Sequence, residues 1–125
     1  MKRFFAVAII LVIILAPGAV ASADYGIVVT GHPSDSTCFS GDTAGFYAEA
    51  RFYNTMDWIF VDPCGGEHSA AEFRSMFPSV TVEGEYTSCL TVGNQTTELN
   101  GWAVFCHFHS DIDNTNTNWA FFHVL

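Results

Sequence analysis

Positive charge is what this chain has least of. Its 125 residues hold four Lys plus Arg against thirteen Asp plus Glu, a formal net charge of -9. Lys2 and Arg3 open the chain, which leaves only Arg51 and Arg74 for everything after them. Neutralising phosphates requires clustered Lys and Arg, so the balance argues against nucleic acid and anionic lipid as partners. It suits solubility, a cationic partner or repulsion between copies, and a solvated acidic surface with no partner is the plainer reading. Catalytic spacings are missing too. The chain has no GxSxG elbow and no HExxH pair, and Glu83 and Glu85 read as solvated turn residues. No Met follows Met76, so a copper electron-transfer site would lack its thioether. These absences point away from an enzyme, and no cofactor is expected.

The one long apolar run lies at the start. Lys2 and Arg3 precede Phe4 to Ala16, Pro17-Gly18 breaks the run, and Ala21-Ser22-Ala23 offers a small-x-small cleavage pattern. A membrane span needs ~20 apolar residues, so residues 1–23 read as a signal peptide in preference to an uncleaved anchor. The expected product is a secreted domain over residues 24–125, extracellular or at a cell surface, with no stable membrane anchor. About a hundred residues are enough for one domain with one core. Cys38, Cys64, Cys89 and Cys106 all fall in this part, with no CxxC pair among them. An even count in an oxidising compartment predicts two disulfides, with a zinc site as the alternative.

Short alternating runs follow one another along the chain. Phe46, Ala48, Ala50 and Phe52 alternate with Tyr47, Glu49 and Arg51, which suits a half-buried strand, although the Ala and Glu content would also suit a helix. Asp57 to Val61 is aromatic and β-branched, and Pro63-Cys64-Gly65-Gly66 ends it. Ser69 and Glu72 have capping-box spacing, predicting one or two helical turns before Pro78. Leu90 and Val92 alternate, as do Trp102, Val104, Cys106 and Phe108, and then Ala120, Phe122 and Val124 after a polar turn over 111–118. Frequent short strands with turn signals between them predict a sandwich or barrel.

Certain residues fall in a suggestive order. Gly41-Asp42-Thr43-Ala44 leads into Phe46, and Trp58 follows in the next strand. Then come Gly84-x-x-Thr87-x-x-Leu90-x-Val92, Asn100-Gly101-Trp102-x-x-x-Cys106-x-Phe108 and Ala120-x-Phe122-x-Val124. From about Thr37 onward the chain resembles the immunoglobulin-like modules of secreted and cell-surface proteins of Gram-positive bacteria. The resemblance implies an all-β, immunoglobulin-like Greek-key sandwich of about seven strands, with one short helix between the third and fifth. It makes Trp58 the core tryptophan of the third strand and Cys106 the cysteine of the sixth. The expected core is Phe46, Trp58, Phe60, Leu90, Val92, Trp102, Val104, Phe108, Phe122 and Val124. In antibody-type domains Cys106 would bridge to the second strand, but Phe46, Ala48 and Ala50 offer no sulfur there. Cys38–Cys106 with Cys64–Cys89 is the favoured pairing, and Cys38–Cys64 with Cys89–Cys106 stays open.

Alternation also says what is left outside. With those residues inward, Ile59, Val61, Phe105, His107, His109, Trp119, Phe121 and His123 share the outer face of one sheet. An aromatic patch there reads as a docking face for a protein partner or a second copy of the chain. A covering loop or a one-residue slip in register would cancel it. The alternative function is metal binding by His107, His109 and His123, since two imidazoles at i, i+2 plus one across the hairpin can ligate zinc or copper.

Overall fold

Alternating burial sets the strands, and the polar breaks between them set the turns. The computed structural model describes residues 26–125, so the expected leader at residues 1–23 lies outside the described residues. The strands are β1 (Val28–Gly31), β2 (Ser36–Cys38), β3 (Ala44–Tyr47), β4 (Glu49–Arg51), β5 (Thr55–Val61) and β6 (Glu67–His68). They continue as β7 (Thr81–Glu83), β8 (Cys89–Gly93), β9 (Ala103–His109), β10 (Asn114–Asn116) and β11 (Ala120–Val124). One helix, α1 (Ala70–Met76), lies between β6 and β7, and a 3-10 turn (Thr97–Leu99) lies between β8 and β9.

One sheet runs β2-β11-β9-β5-β6, with β10 also paired to β9; the second runs β3-β8-β7. β1 and β4 form a separate antiparallel pair, while β2 joins β11 in parallel. The predicted strand over 45–52 is thus split: Ala48 leaves the ladder to give its N–H to the Ser88 carbonyl, 3.0 Å away. It ends at Phe52, whose φ of 67° places it in the left-handed region and takes it out of the alternation.

Between the sheets, Phe46, Trp58, Phe60, Leu90, Val92, Trp102, Val104, Phe108, Phe122 and Val124 are all buried. Phe46 meets Phe122 edge-on across the sandwich at 5.0 Å between ring centres. Trp58 donates its indole N–H to the Thr87 carbonyl at 2.7 Å, tying β5 to the segment before β8. The helix closes one side of the core. Ser69 caps it, with its hydroxyl accepting from the Glu72 N–H while the Glu72 carboxylate accepts from the Ser69 N–H. Phe73 then stacks on Phe60 at 4.0 Å and meets Trp102 at 5.3 Å.

Arg74 fastens the helix to the second sheet. Its guanidinium donates to the Val82 carbonyl and to Glu85, both at 2.8 Å. Burial pushes the Glu85 carboxyl up, but the hydrogen bond and charge of Arg74, with a backbone N–H, outweigh it and leave it below the ordinary range. A depressed folded value gives stability that is present above the unfolded pKa, about 4.3, and lost as pH falls through the folded one. Arg74→Met should therefore lower stability by about 1 kcal/mol at neutral pH. Urea melts from pH 7 down to 3 check this: the gap between the two proteins should narrow as the pH falls, and a constant gap would show that Arg74 acts through packing and its bond to the Val82 carbonyl, with no contribution from Glu85.

Candidate functional site: the outer face of the β5-β9-β11 sheet

The face is built from three registers. β5 and β9 pair with Asp57 opposite His107, Ile59 opposite Phe105 and Val61 opposite Ala103. β11 continues the rows, placing Phe121 opposite Ala103. On the far half, β10 sets Asn116 opposite His107 and Asn114 opposite His109. Strand residues alternate, so these side chains lie on the face turned away from the main core.

Between β10 and β11 the register slips by one residue at Thr117. Its N–H donates to the Cys106 carbonyl and its hydroxyl accepts from the Cys106 N–H, each at 2.9 Å. The extra residue is a local bulge. It moves the outward set from Asn114 and Asn116 to Trp119, Phe121 and His123, so the predicted polar turn over 111–118 in fact contains a strand. The tight turn itself is Ser110 to Asp113, closed by the Ser110 N–H on the Asp113 carbonyl at 2.9 Å.

The rows divide the face into unlike halves. In the polar half, His107 and His109 each hold an asparagine: Nδ1 of each lies 2.6 Å from the side-chain oxygen of Asn116 and Asn114 respectively. In the apolar half, Val61, Ala103 and Phe105 form a cluster separate from the main core, with Ile59 partly buried against it. The Trp119 ring lies nearly parallel to Phe105 at 6.5 Å, and Phe121 sits 6.2 Å from Trp119.

This burial corrects the expected docking patch. Val61 and Phe105 are only 1% and 3% exposed, because the cross-strand neighbours and Trp119 close around them. Ile59 and His107 are half-buried, and His109 and His123 are exposed. The exposed apolar surface is carried by Trp119 and Phe121, at 45% and 37%.

The histidine cluster is corrected as well. The antiparallel register that pairs Phe121 with Ala103 carries His123 past the start of β9, with the apolar half between it and His107. Its nearest charged neighbour is Asp35, at 3.9 Å. Zinc holds imidazole nitrogens at about 2.0–2.1 Å, so these three cannot converge on one ion. Among the described residues no group of three His, Cys, Asp or Glu could hold a metal.

The cysteines are likewise unpaired. Cys38, Cys64, Cys89 and Cys106 are all free, so neither expected set of bridges forms. Each sits in different surroundings. Cys106 is buried in the main core, while Cys64 is exposed in the turn after β5. Cys89 is exposed at the start of β8 in the other sheet. The Cys38 thiol instead points at the buried Gln95 side-chain oxygen, 3.2 Å away. Burial, and then the nearby Asp57 charge, push the Cys106 thiol up to about 12. It stays protonated at neutral pH and is no nucleophile.

Two features had no counterpart in the sequence reading. One is the pair of asparagines opposite His-x-His, for which the Asn114-x-Asn116 spacing was the available signal. The other is the order around Asp62. Asp62 accepts from His68 Nε2 at 2.8 Å and from the Cys64 and Gly66 N–H groups at 2.9 Å. The His68 bond leads in holding the Asp62 carboxyl below its ordinary range.

No protein-family model matches this sequence, and no curated protein matches it. Solved structures do match. The tandem Ig repeats of Dlar align with a TM-score of 0.58 at 15% identity, covering 79% of this chain and 48% of theirs. This chain therefore spans about half of that structure. A chimeric titin Z1Z2 carrying a decorin peptide aligns at 0.57 and 15%, over 79% of this chain and 93% of its own. Duf (Kirre) D1 aligns at 0.57 and 14%, over 80% and 97%. At such identities the likeness is one of fold: this chain is an immunoglobulin-like β-sandwich.

Proposed function

We propose that the chain is a secreted, non-enzymatic binding or assembly module that docks a protein partner, or a second copy of itself, through the outer face of the β5-β9-β11 sheet. The supporting observation is the exposed pair Trp119 and Phe121, beside the buried Val61 and Phe105 and the partly buried Ile59. Large aromatic rings at the centre of an interface bury much area with few rotors to freeze. His107, His109 and His123 would form the polar rim. Export rests on the leader pattern of residues 1–23, and kinship with Gram-positive surface modules rests on the residues that carry the resemblance. The structural neighbours include repeated immunoglobulin-like domains, which suits an assembly role for the fold.

The test uses exposed positions. Phe121→Asp should cost about 1 kcal/mol of stability or less, and Trp119→Ser, which uncovers Phe105, somewhat more, while each leaves the domain folded and weakens association roughly tenfold or more, as hot-spot aromatics do. Sedimentation velocity reads self-association, and capture of exported proteins from the same organism reads a partner. If both variants associate and capture as the parent does, the face is not the docking surface.

A further inference from the structure

The strand registers of the outer face continue to both of its edges, and each edge ends on a carboxylate. β6 places Glu67 opposite Val61, so the two side chains share the outward side of the sheet. On the far edge β2 pairs in parallel with β11, setting Ser36 beside Phe122 and therefore Asp35 beside Phe121. The Phe121 N–H donates to one Asp35 oxygen at 2.9 Å, and the other oxygen lies 3.9 Å from His123 Nε2. One row across the sheet thus reads Glu67, Val61, Ala103, Phe121 and Asp35. Neighbouring strands lie about 4.8 Å apart, so the two carboxylates bracket the apolar half at a separation of roughly 19 Å. Asp57, half-buried opposite His107, adds a third acid beyond Ile59.

No fixed positive charge answers them. Among the described residues no Lys or Arg lies on this face: Arg51 is on β4, in the separate pair with β1, and Arg74 on the helix is engaged by Glu85 and the Val82 carbonyl. Glu67 and Asp35 are both exposed. The rings between them favour the same sign of ligand, because Trp119 and Phe121 are exposed and the face of an aromatic ring attracts a cation. A second copy of the chain is a poor occupant on the same grounds. A twofold pairing lays one patch on itself, and here it would bring two acidic rims together with no Lys or Arg on either.

We propose that the occupant of this face is a basic polypeptide segment, with two Lys or Arg side chains about 19 Å apart flanking apolar ones, and not a second copy of the chain. The proposal rests on the docking reading above and names its partner. An extended segment of about seven residues spans roughly 20 Å and turns its first, third, fifth and seventh side chains to one side. The outer two would meet Asp35 and Glu67, and the inner two would lie against Phe121 and Ile59.

The probe is the peptide Arg-Ser-Leu-Ser-Leu-Ser-Arg, acetylated and amidated at its ends so that Arg alone carries charge. Its controls replace both Arg by Gln or by Glu. Titrated at neutral pH into ¹⁵N-labelled protein recovered as the cell releases it, the Arg peptide should shift the amides of Val61, Glu67 and Phe121. The Gln peptide should bind about tenfold more weakly and the Glu peptide not at all, as two exposed ion pairs allow. Glu67→Gln and Asp35→Asn should each weaken the Arg peptide about threefold; Asn keeps an oxygen for the Phe121 N–H. Equal binding of the Gln peptide, a double variant that binds the Arg peptide as the parent does, or no binding at millimolar peptide would each overturn the basic partner. Trp119→Ser separates this from the docking reading, since it should weaken the Arg and Gln peptides alike. If it weakens neither, the docking face itself is wrong and the proposal goes with it. Sedimentation velocity should find a monomer, and a dimer broken by Trp119→Ser would keep the face but give it to a second copy, overturning the proposal.

Discussion

Trp58→Ala is expected to lower the free energy of unfolding by about 3–5 kcal/mol, a large share of the 5–15 kcal/mol typical of a domain. The indole is 1% exposed and lies opposite Cys106 on the neighbouring strand, so truncation opens a cavity in the middle of the sandwich. It also removes the donor that holds the Thr87 carbonyl. Trp58→Phe separates the two effects, since it keeps most of the bulk and loses only the N–H. Losing that hydrogen bond costs about 0.5–1.5 kcal/mol, so Phe should fall between wild type and Ala. Urea unfolding followed by far-UV circular dichroism reads all three without relying on tryptophan fluorescence. If Phe and Ala prove equally destabilised, the hydrogen bond carries the whole effect and the packing account is wrong.

Phe105→Asp should be nearly as damaging, although it lies on the outer face. Phe105 is buried among Val61, Ala103 and Ile59, so the new carboxylate would be stripped of water with no cation to meet it. The expected loss exceeds about 3 kcal/mol at neutral pH. Burial raises the folded pKa of an introduced carboxyl above its unfolded value of about 3.9. The variant is then least compromised below the unfolded pKa and falls further behind wild type as pH rises through the folded one. Phe121→Asp, at an exposed position of the same face, should cost about 1 kcal/mol or less. Thermal melts of the two variants across pH 4 to 8 decide the matter. Matching melts would show that the Phe105 cluster is open to water.

Much of this molecule could be read from its residues, and the reasons are local. Ser69 and Glu72 declare a helix start because a capping box is satisfied within four residues. Trp58, Phe60, Val104 and Phe108 alternate with polar or outward neighbours, and period two has one structural meaning. The histidine site failed for the opposite reason. Three histidines near the end of the chain look adjacent in sequence, but their separation depends on strand register, and register depends on partners elsewhere. The Thr117 bulge shows this directly: its hydroxyl and amide serve Cys106, eleven residues away, and nothing local to Thr117 announces it. The cysteines failed likewise. An even count says nothing of where four sulfurs come to lie, and here all four are free.

By itself the sequence determined the class of fold, the position of the helix, the inward set of side chains and the scarcity of cations. Each follows from short-range periodicity or from composition, which need no knowledge of neighbours. Tertiary structure alone decided which outward residues are open to a partner, that His123 stands apart from His107, and that the thiols stay free. Those outcomes depend on which strands meet, in what register and over what length, and such long-range pairings are settled only when the two sheets close on one another.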